Sequence, residues 1–224
     1  SASSRSPQLD SKFVPQISAR TPLPRPRLAL PAALLDGPCR VVSVVAPAGY
    51  GKSTLLADWY SQCAAERRAW LNLSERDDEP TQLLRLLIGA IQTAHPKLGQ
   101  KALTQLDGQS QANPMSVLEL LVSDLSQLSE ALLLFIDDLH LLNDARSLQI
   151  LDWLLQYAPH QLRLIIGSRQ APPVALATLR LRGQLAELDQ SQLALTAEEA
   201  AALCSERIST PQSALALSRL MEKT

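Results

Sequence analysis

Aromatic side chains make up only 4% of the 224 residues, so leucine, valine and alanine must fill whatever core the chain builds. No apolar run approaches the roughly 18 residues that a membrane-spanning helix needs. The N-terminus is polar and proline-rich, without the charged-then-apolar order of a secretory signal. Cysteine occurs three times, as Cys39, Cys63 and Cys204, with no C-x-x-C pair. Such a sparse, odd count argues against a disulfide framework and suits a reducing cytoplasm. His95, His140 and His160 stand alone, which leaves no zinc-ligand spacing. Neither sign of charge dominates: the formal net charge is −1, and a balance so close to zero gives this stretch no electrostatic footprint for nucleic acid. Length and composition suit one globular domain plus part of another. The chain opens at Ser1 without Met and stops at Thr224 inside a helical pattern, which reads as a piece of something longer.

What is present centres on Val41-Val42-Ser43-Val44-Val45-Ala46-Pro47-Ala48-Gly49-Tyr50-Gly51-Lys52-Ser53-Thr54. The Val-rich start reads as a parallel strand covered on both faces, which need not alternate. A glycine-punctuated turn, Gly-Lys-Ser/Thr and a helical run from Leu55 follow, and together these make a phosphate-binding P-loop. Gly49 and Gly51 permit φ > 0 and carry no Cβ, so successive backbone N–H groups turn inward around an anion. The next helix adds unpaired N–H groups and a partial positive charge. Lys52 is expected to set its ammonium between the β- and γ-phosphates of a nucleotide, and Ser53 to offer its hydroxyl to Mg²⁺. The pattern departs from G-x-x-x-x-G-K-S/T at Ala46, where glycine is the rule.

The second informative stretch is Ala131-Leu132-Leu133-Leu134-Phe135-Ile136-Asp137-Asp138. It reads as another buried parallel strand with two carboxylates at its carboxyl end, where ligands of open α/β sheets bind. Adjacent side chains leave a strand on opposite sides, so the acids differ in role. Asp137 fits the Mg²⁺ position, directly or through water, and Asp138 is suited to polarise the attacking water. Arg169, after the strand-like run from Leu162, sits where a guanidinium reaches γ-phosphate oxygens.

The remaining chain alternates strand and helix. Residues 1 to about 20 read as a mobile or tag-derived segment. The four prolines and two arginines of residues 21–31 make an extended arm. That arm is an SH3-type ligand, a plain linker, or a strap folded back with Arg25 and Arg27 near the nucleotide. A short helix ends at Gly37-Pro38. Strands are predicted at Arg68 to Leu73, Leu162 to Arg169 and Gln184 to Leu188. Helices are predicted from Pro80 to about Pro96, around Val117 to Ser129, from about Leu148 to Pro159, and after Pro172-Pro173, with 96–114 left as a polar loop. Arg180 and Arg182 read as solvated. Thr196-Ala197-Glu198-Glu199 is a capping box, and a further helix is expected from Pro211. The interval between Lys52 and Asp137 leaves room for an extra strand and two helices, which suits P-loop folds with another strand between the P-loop strand and the acidic strand. The fold expected is a P-loop NTPase parallel sheet with helices on both faces, followed by the start of a helical domain. The boundaries read as an arm over 1–38, an NTPase domain over 39–190 and a truncated helical domain over 191–224.

Several stretches together resemble the large ATP-dependent LuxR-type (MalT-like) transcription activators of the STAND class of signal-transducing ATPases. They are Leu23-Pro24-Arg25-Pro26-Arg27-Leu28, Ala46 to Leu56, Ala69-Trp70-Leu71-Asn72-Leu73 with Asp77 and Asp78, Ile136-Asp137-Asp138-Leu139-His140, Gly167-Ser168-Arg169, Leu179 to Leu185, and Leu195 to Ala200. The resemblance implies a small residue other than glycine is tolerated at Ala46. It implies that ATP favours a self-associating form and ADP a resting one, and that the arm carrying Arg25 and Arg27 contributes to the adenine side of the pocket, which favours the strap. By the same resemblance, DNA binding belongs to a C-terminal domain outside these residues. The expected ligands are ATP or ADP with Mg²⁺, held by Ala46, Pro47, Ala48, Gly49, Tyr50, Gly51, Lys52, Ser53 and Thr54.

Three other classes share parts of the pattern. An AAA+ motor or loader has the same P-loop and acidic strand, but commonly carries Glu at the Asp138 position. A small-molecule kinase needs a lid and acceptor site, neither of which is visible. A non-hydrolysing module would hold nucleotide without cleaving it. Turnover and bound-nucleotide measurements separate these readings.

Overall fold

The computed structural model describes residues 11–16, 25–108 and 113–208. After a helical turn at Pro26–Leu28 the chain forms α1 (Ala32–Asp36), β1 (Val41–Val45) and α2 (Lys52–Gln62), then β2 (Arg68–Asn72). Three helices follow, α3 (Pro80–Ala94), α4 (Gln100–Gly108) and α5 (Pro114–Leu125), before β3 (Leu132–Asp137). The order ends with α6 (Ala145–Tyr157), β4 (Leu162–Ser168), α7 (Ala177–Leu181), β5 (Leu185–Leu188), α8 (Gln190–Leu193) and α9 (Ala197–Ile208).

All strand pairs are parallel, in the order β2-β3-β4-β1-β5. Alternate residues of each inner strand feed opposite faces. On β3, Leu132, Leu134 and Ile136 join α3, α5 and α6 in one core, while Leu133 and Phe135 join α2 and the arm in the other. Helices therefore cover both faces, and apolar runs without alternation are the consequence. One aromatic cluster forms between α2 and the sheet. Trp70 and Phe135 stack at 5.7 Å, with Tyr60 edge-on to them at 5.5 and 5.6 Å.

Helix starts follow local chemistry. Glu79 accepts from the N–H groups of Thr81 and Gln82 ahead of α3, and Asp144 from those of Arg146 and Ser147 ahead of α6. Thr196 and Glu199 form the capping box read from the sequence, with Thr196 N donating to Glu199 Oε2 at 3.0 Å and Glu199 N to Thr196 Oγ1 at 3.2 Å.

A strand does separate β1 from β3, as expected; it is β4, which follows the acidic strand, while β2 lies at the sheet edge. Three expectations change. The polar interval 96–114 contains α4, a helix whose sequence signal is faint because only Ala102 and Leu106 are buried. No helix starts at Pro172-Pro173; α7 begins at Ala177. Finally, part of the N-terminal segment is docked rather than loose. Phe13 is buried in the core, and Asn72 Nδ2 donates to Val14 O at 2.7 Å. Lys12 pairs with Asp77, itself held by Ser74. The helix expected from Pro211 lies outside the described residues.

Gly89 is what admits Phe13: a Cβ there would lie 2.7 Å from Phe13 Cζ. Gly89→Ala would gain about 1 kcal/mol of helix propensity but expel a phenyl ring whose burial is worth roughly 1.5–3 kcal/mol. The net expectation is a loss of about 1 kcal/mol in urea unfolding. Phe13→Ala in the same background should then cost little more, since the contact is already gone.

Candidate functional site

The carboxyl ends of β1, β4 and β3 lie side by side, with Val45 opposite Ser168 and Ile136 opposite Ile166. The chain runs from β1 to the far edge and returns through β3 and β4, so a crevice opens there, where such sheets bind ligands. The P-loop, Asp137, Asp138, His140 and Arg169 all border it.

Ala46 continues β1 by donating its N–H to Ser168 O at 3.1 Å, and is buried. It is not among the residues with positive φ, so the missing glycine is not required by the backbone there. Pro47, Ala48, Gly49, Tyr50 and Gly51 form the exposed turn. Gly49 (φ 90°) and Gly51 (φ 77°) take left-handed conformations that other residues rarely adopt. Gly51 caps α2, Ser53 is half-buried in its first turn and Thr54 is exposed.

Lys52 is buried, and its Nζ donates to Asp137 Oδ1 at 2.9 Å, with Asp138 Oδ1 at 4.0 Å. The N–H of Asp138 also donates to Asp137 Oδ1 at 2.9 Å. Gly167 clears the space: a Cβ would collide with Asp137 Oδ1 and stand 3.0 Å from Leu56 Cδ2. Among the described residues Asp138 alone, apart from glycines, has positive φ, at 61°. Its carboxylate is half-exposed, whereas that of Asp137 is buried.

His140, isolated in the sequence, has partners in the fold. Its Nδ1 accepts the Arg169 N–H at 3.4 Å and lies 3.9 Å from Asp138 Oδ1. Burial pushes its pKa down, opposed by Asp138 and assisted by Arg169 and Lys52, which favours the neutral ring that can accept at Nδ1. The sequence signal that could have found it is its place two residues past the acid pair. Arg169 is exposed at the end of β4. Asp78 supports the same rim by accepting from Asn143 N at 2.7 Å and Asp144 N at 2.9 Å.

Arg25 and Arg27 are not part of this cluster. Both are engaged by Glu199 and by carbonyls of the segment around α8. The strap that carries them does fold back on the domain: Leu28 and Leu34 are buried, and Trp59 Nε1 of α2 donates to Leu28 O at 2.8 Å. A shallow depression on α4, lined by Gln100, Lys101, Thr104, Gln105 and Gly108, carries no carboxylate or imidazole.

Left-handed glycines, a helix N-terminus, an ammonium, a hydroxyl and two carboxylates together fit a polyphosphate with Mg²⁺. The donors are of the hard oxygen type that Mg²⁺ takes, and the ammonium and N–H groups match phosphate oxygens.

A family model described as AAA ATPase domain matches residues 28–166. The chain is 33% identical over 184 residues to the HTH-type transcriptional regulator MalT of Serratia proteamaculans, covering 82% of this chain and 20% of that protein. With MalT of Yersinia enterocolitica it shares 34% over 174 residues, covering 77% and 19%. It thus spans about one fifth of the length of the curated relatives it matches. Among solved structures it is similar to Drosophila ORC bound to AT-rich DNA and Cdc6 (14% identity, 86% and 59% coverage, TM-score 0.48). Cdc6p from Pyrobaculum aerophilum is comparable (14%, 75% and 47%, TM-score 0.48). At such scores neither structural likeness carries an argument. The family match takes in the P-loop, the acidic strand and most of β4, more than half of the sequence, and the chain belongs to the AAA ATPase domain family.

Proposed function

We propose that this chain is the ATP-binding, slowly hydrolysing switch domain of a transcription activator, with its ATP or ADP state controlling self-association. The observation that carries the reading is the Lys52–Asp137 pair at the P-loop, flanked by Asp138, His140 and Arg169. In this reading Lys52 leaves Asp137 for the β- and γ-phosphates, and Asp137 with Ser53 holds Mg²⁺, whose charge when bound neutralises the phosphate oxygens. Asp138 orients and polarises the attacking water. His140, neutral, holds the Arg169 backbone and so aims its guanidinium at the γ-phosphate.

A switch requires different affinity of its two states for the two nucleotides, and the γ-phosphate is the group that differs. Lys52, Asp138 and Arg169 are the residues that register it. DNA contact is assigned to a domain outside these residues, with the arm ending near residue 38 and the helical domain starting near 191. The cytoplasm is the compartment that holds nucleotide and DNA together.

Titration of purified chain with Mg·ATP and Mg·ADP tests the assignment. Lys52→Ala is expected to weaken both nucleotides by about 10- to 100-fold, the worth of a charge-assisted contact. Arg169→Ala should weaken ATP while sparing ADP. Unchanged affinities and an unchanged ATP/ADP preference would defeat it. Rapid uncoupled turnover would instead favour a motor.

A further inference from the structure

Glu199, the third residue of α9, receives two guanidinium forks from residues more than 170 positions away. Arg25 reaches Oε1 through Nε at 3.2 Å and Oε2 through Nη2 at 3.2 Å. Arg27 reaches the same two oxygens through Nε and Nη2, each at 3.0 Å. The same guanidiniums close the end of α8. Arg25 Nη2 donates to Leu193 O at 2.6 Å and Ala194 O at 3.1 Å, while Arg27 Nη2 donates to Ala194 O at 2.6 Å and its Nη1 to Gln192 O. Helix C-termini leave carbonyls without partners and carry partial negative charge, so cations are matched to that end.

The contact is reversible in kind. The Arg25 and Glu199 side chains are 11% and 12% exposed, and Arg27 35%, so water can replace each bond as it opens. It is also strong. Hydrogen bonds from Arg27 foremost, then from the Thr196 N–H and Arg25, hold the Glu199 carboxyl at about 2, against the opposing effect of burial. Bidentate guanidinium–carboxylate pairs of this kind fix geometry as well as charge.

The other end of the arm is anchored to the nucleotide domain. Leu28, residues of β1 to β4, α2 and Leu193 of α8 share one core, and Trp59 of the P-loop helix holds the Leu28 carbonyl. A continuous set of contacts thus runs from α2 through Leu28 to Arg25 and Arg27, and on to Glu199.

We propose that Arg25 and Arg27 form a latch on Glu199 that ties the arm to the helical segment leaving the sheet, so that the P-loop helix and α9 move as one body while it is closed. The arginines of the arm act here on the chain's own carboxylate. That nucleotide at the P-loop shifts the latch is a second statement, and it rests on the switch reading above.

Hydrogen exchange on the 224-residue chain tests the latch without nucleotide. Glu199→Gln keeps the size and the capping acceptor but removes the charge. The expected result is exchange about tenfold faster both at residues 25–30 and at the start of α9, with β1, β3 and β4 unchanged. Thr196→Ala breaks the cap of the same helix without touching the arginines, and should loosen α9 alone. If Glu199→Gln also loosens only α9, or neither segment, Glu199 is merely a helix cap and the latch is overturned. Repeating the exchange with Mg·ADP and with a non-hydrolysable Mg·ATP analogue, after titration has established binding, tests the coupling. A chain that binds no nucleotide overturns the switch reading and leaves the latch standing on the first result. A chain that binds both, with the two segments exchanging alike in each, overturns the coupling.

Discussion

Asp138→Asn is expected to lower Mg·ATP turnover by about 10²- to 10⁴-fold, the usual contribution of a positioned acid or base. ADP affinity should stay at the unsubstituted level. Asparagine suits the test because it tolerates the left-handed backbone that Asp138 adopts at φ 61°, so the turn survives and only the charge is lost. The carboxylate is half-exposed, 4.0 Å from Lys52 Nζ and 3.9 Å from His140 Nδ1. It can therefore meet a water without first breaking a core contact. Single-turnover hydrolysis of labelled ATP is the measurement. A rate within threefold of the unsubstituted chain (about 0.65 kcal/mol of barrier) would remove Asp138 from the reaction, and the slow-timer reading with it.

The second large effect concerns stability without nucleotide. Asp137→Asn leaves an isosteric acceptor for the Asp138 N–H but removes the charge facing Lys52, whose side chain is 6% exposed against 4% for Asp137. Breaking a buried pair by removing one partner costs roughly 3–5 kcal/mol, and Lys52 would keep only the half-exposed Asp138 at 4.0 Å. Asp137→Asn should therefore lower the unfolding free energy by about 3 kcal/mol at the lower end of that range. Adding Lys52→Met should recover most of the loss, since both charges are then gone and the methionine fills the same space. Urea unfolding of the two single variants and the double variant closes the cycle. Single-variant losses below about 0.5 kcal/mol, as for ordinary surface substitutions, would mean that water already screens the pair.

Under the proposed function the same pair would hold the site ready for its ligand. Lys52 and Asp137 neutralise each other across 2.9 Å, and binding would exchange that ion pair for two, Lys52 with phosphate and Asp137 with Mg²⁺. Gly167 belongs to this arrangement although it touches no ligand, because any side chain on it would displace Asp137.

Much of this was legible from local pattern. The Val-rich and Leu-rich strands, the glycine turn before Lys52, the acid pair closing β3 and the capping box at Thr196 all follow from the covering of both sheet faces, backbone sterics and the unpaired ends of helices. Those causes act over a few residues, so sequence alone carries them. What folding decided involves partners far apart in the chain. β4 rather than β2 stands beside the P-loop strand, Phe13 fills the space that Gly89 leaves, and His140 joins Arg169 at the crevice. Arg25 and Arg27 show the limit most clearly. The expectation placed them near the nucleotide, on its adenine side, and the partner that packing gives them is a carboxylate that chain topology brings from the far end of the domain. Which opposite charge a guanidinium meets depends on how separate segments are packed, and no local periodicity records that.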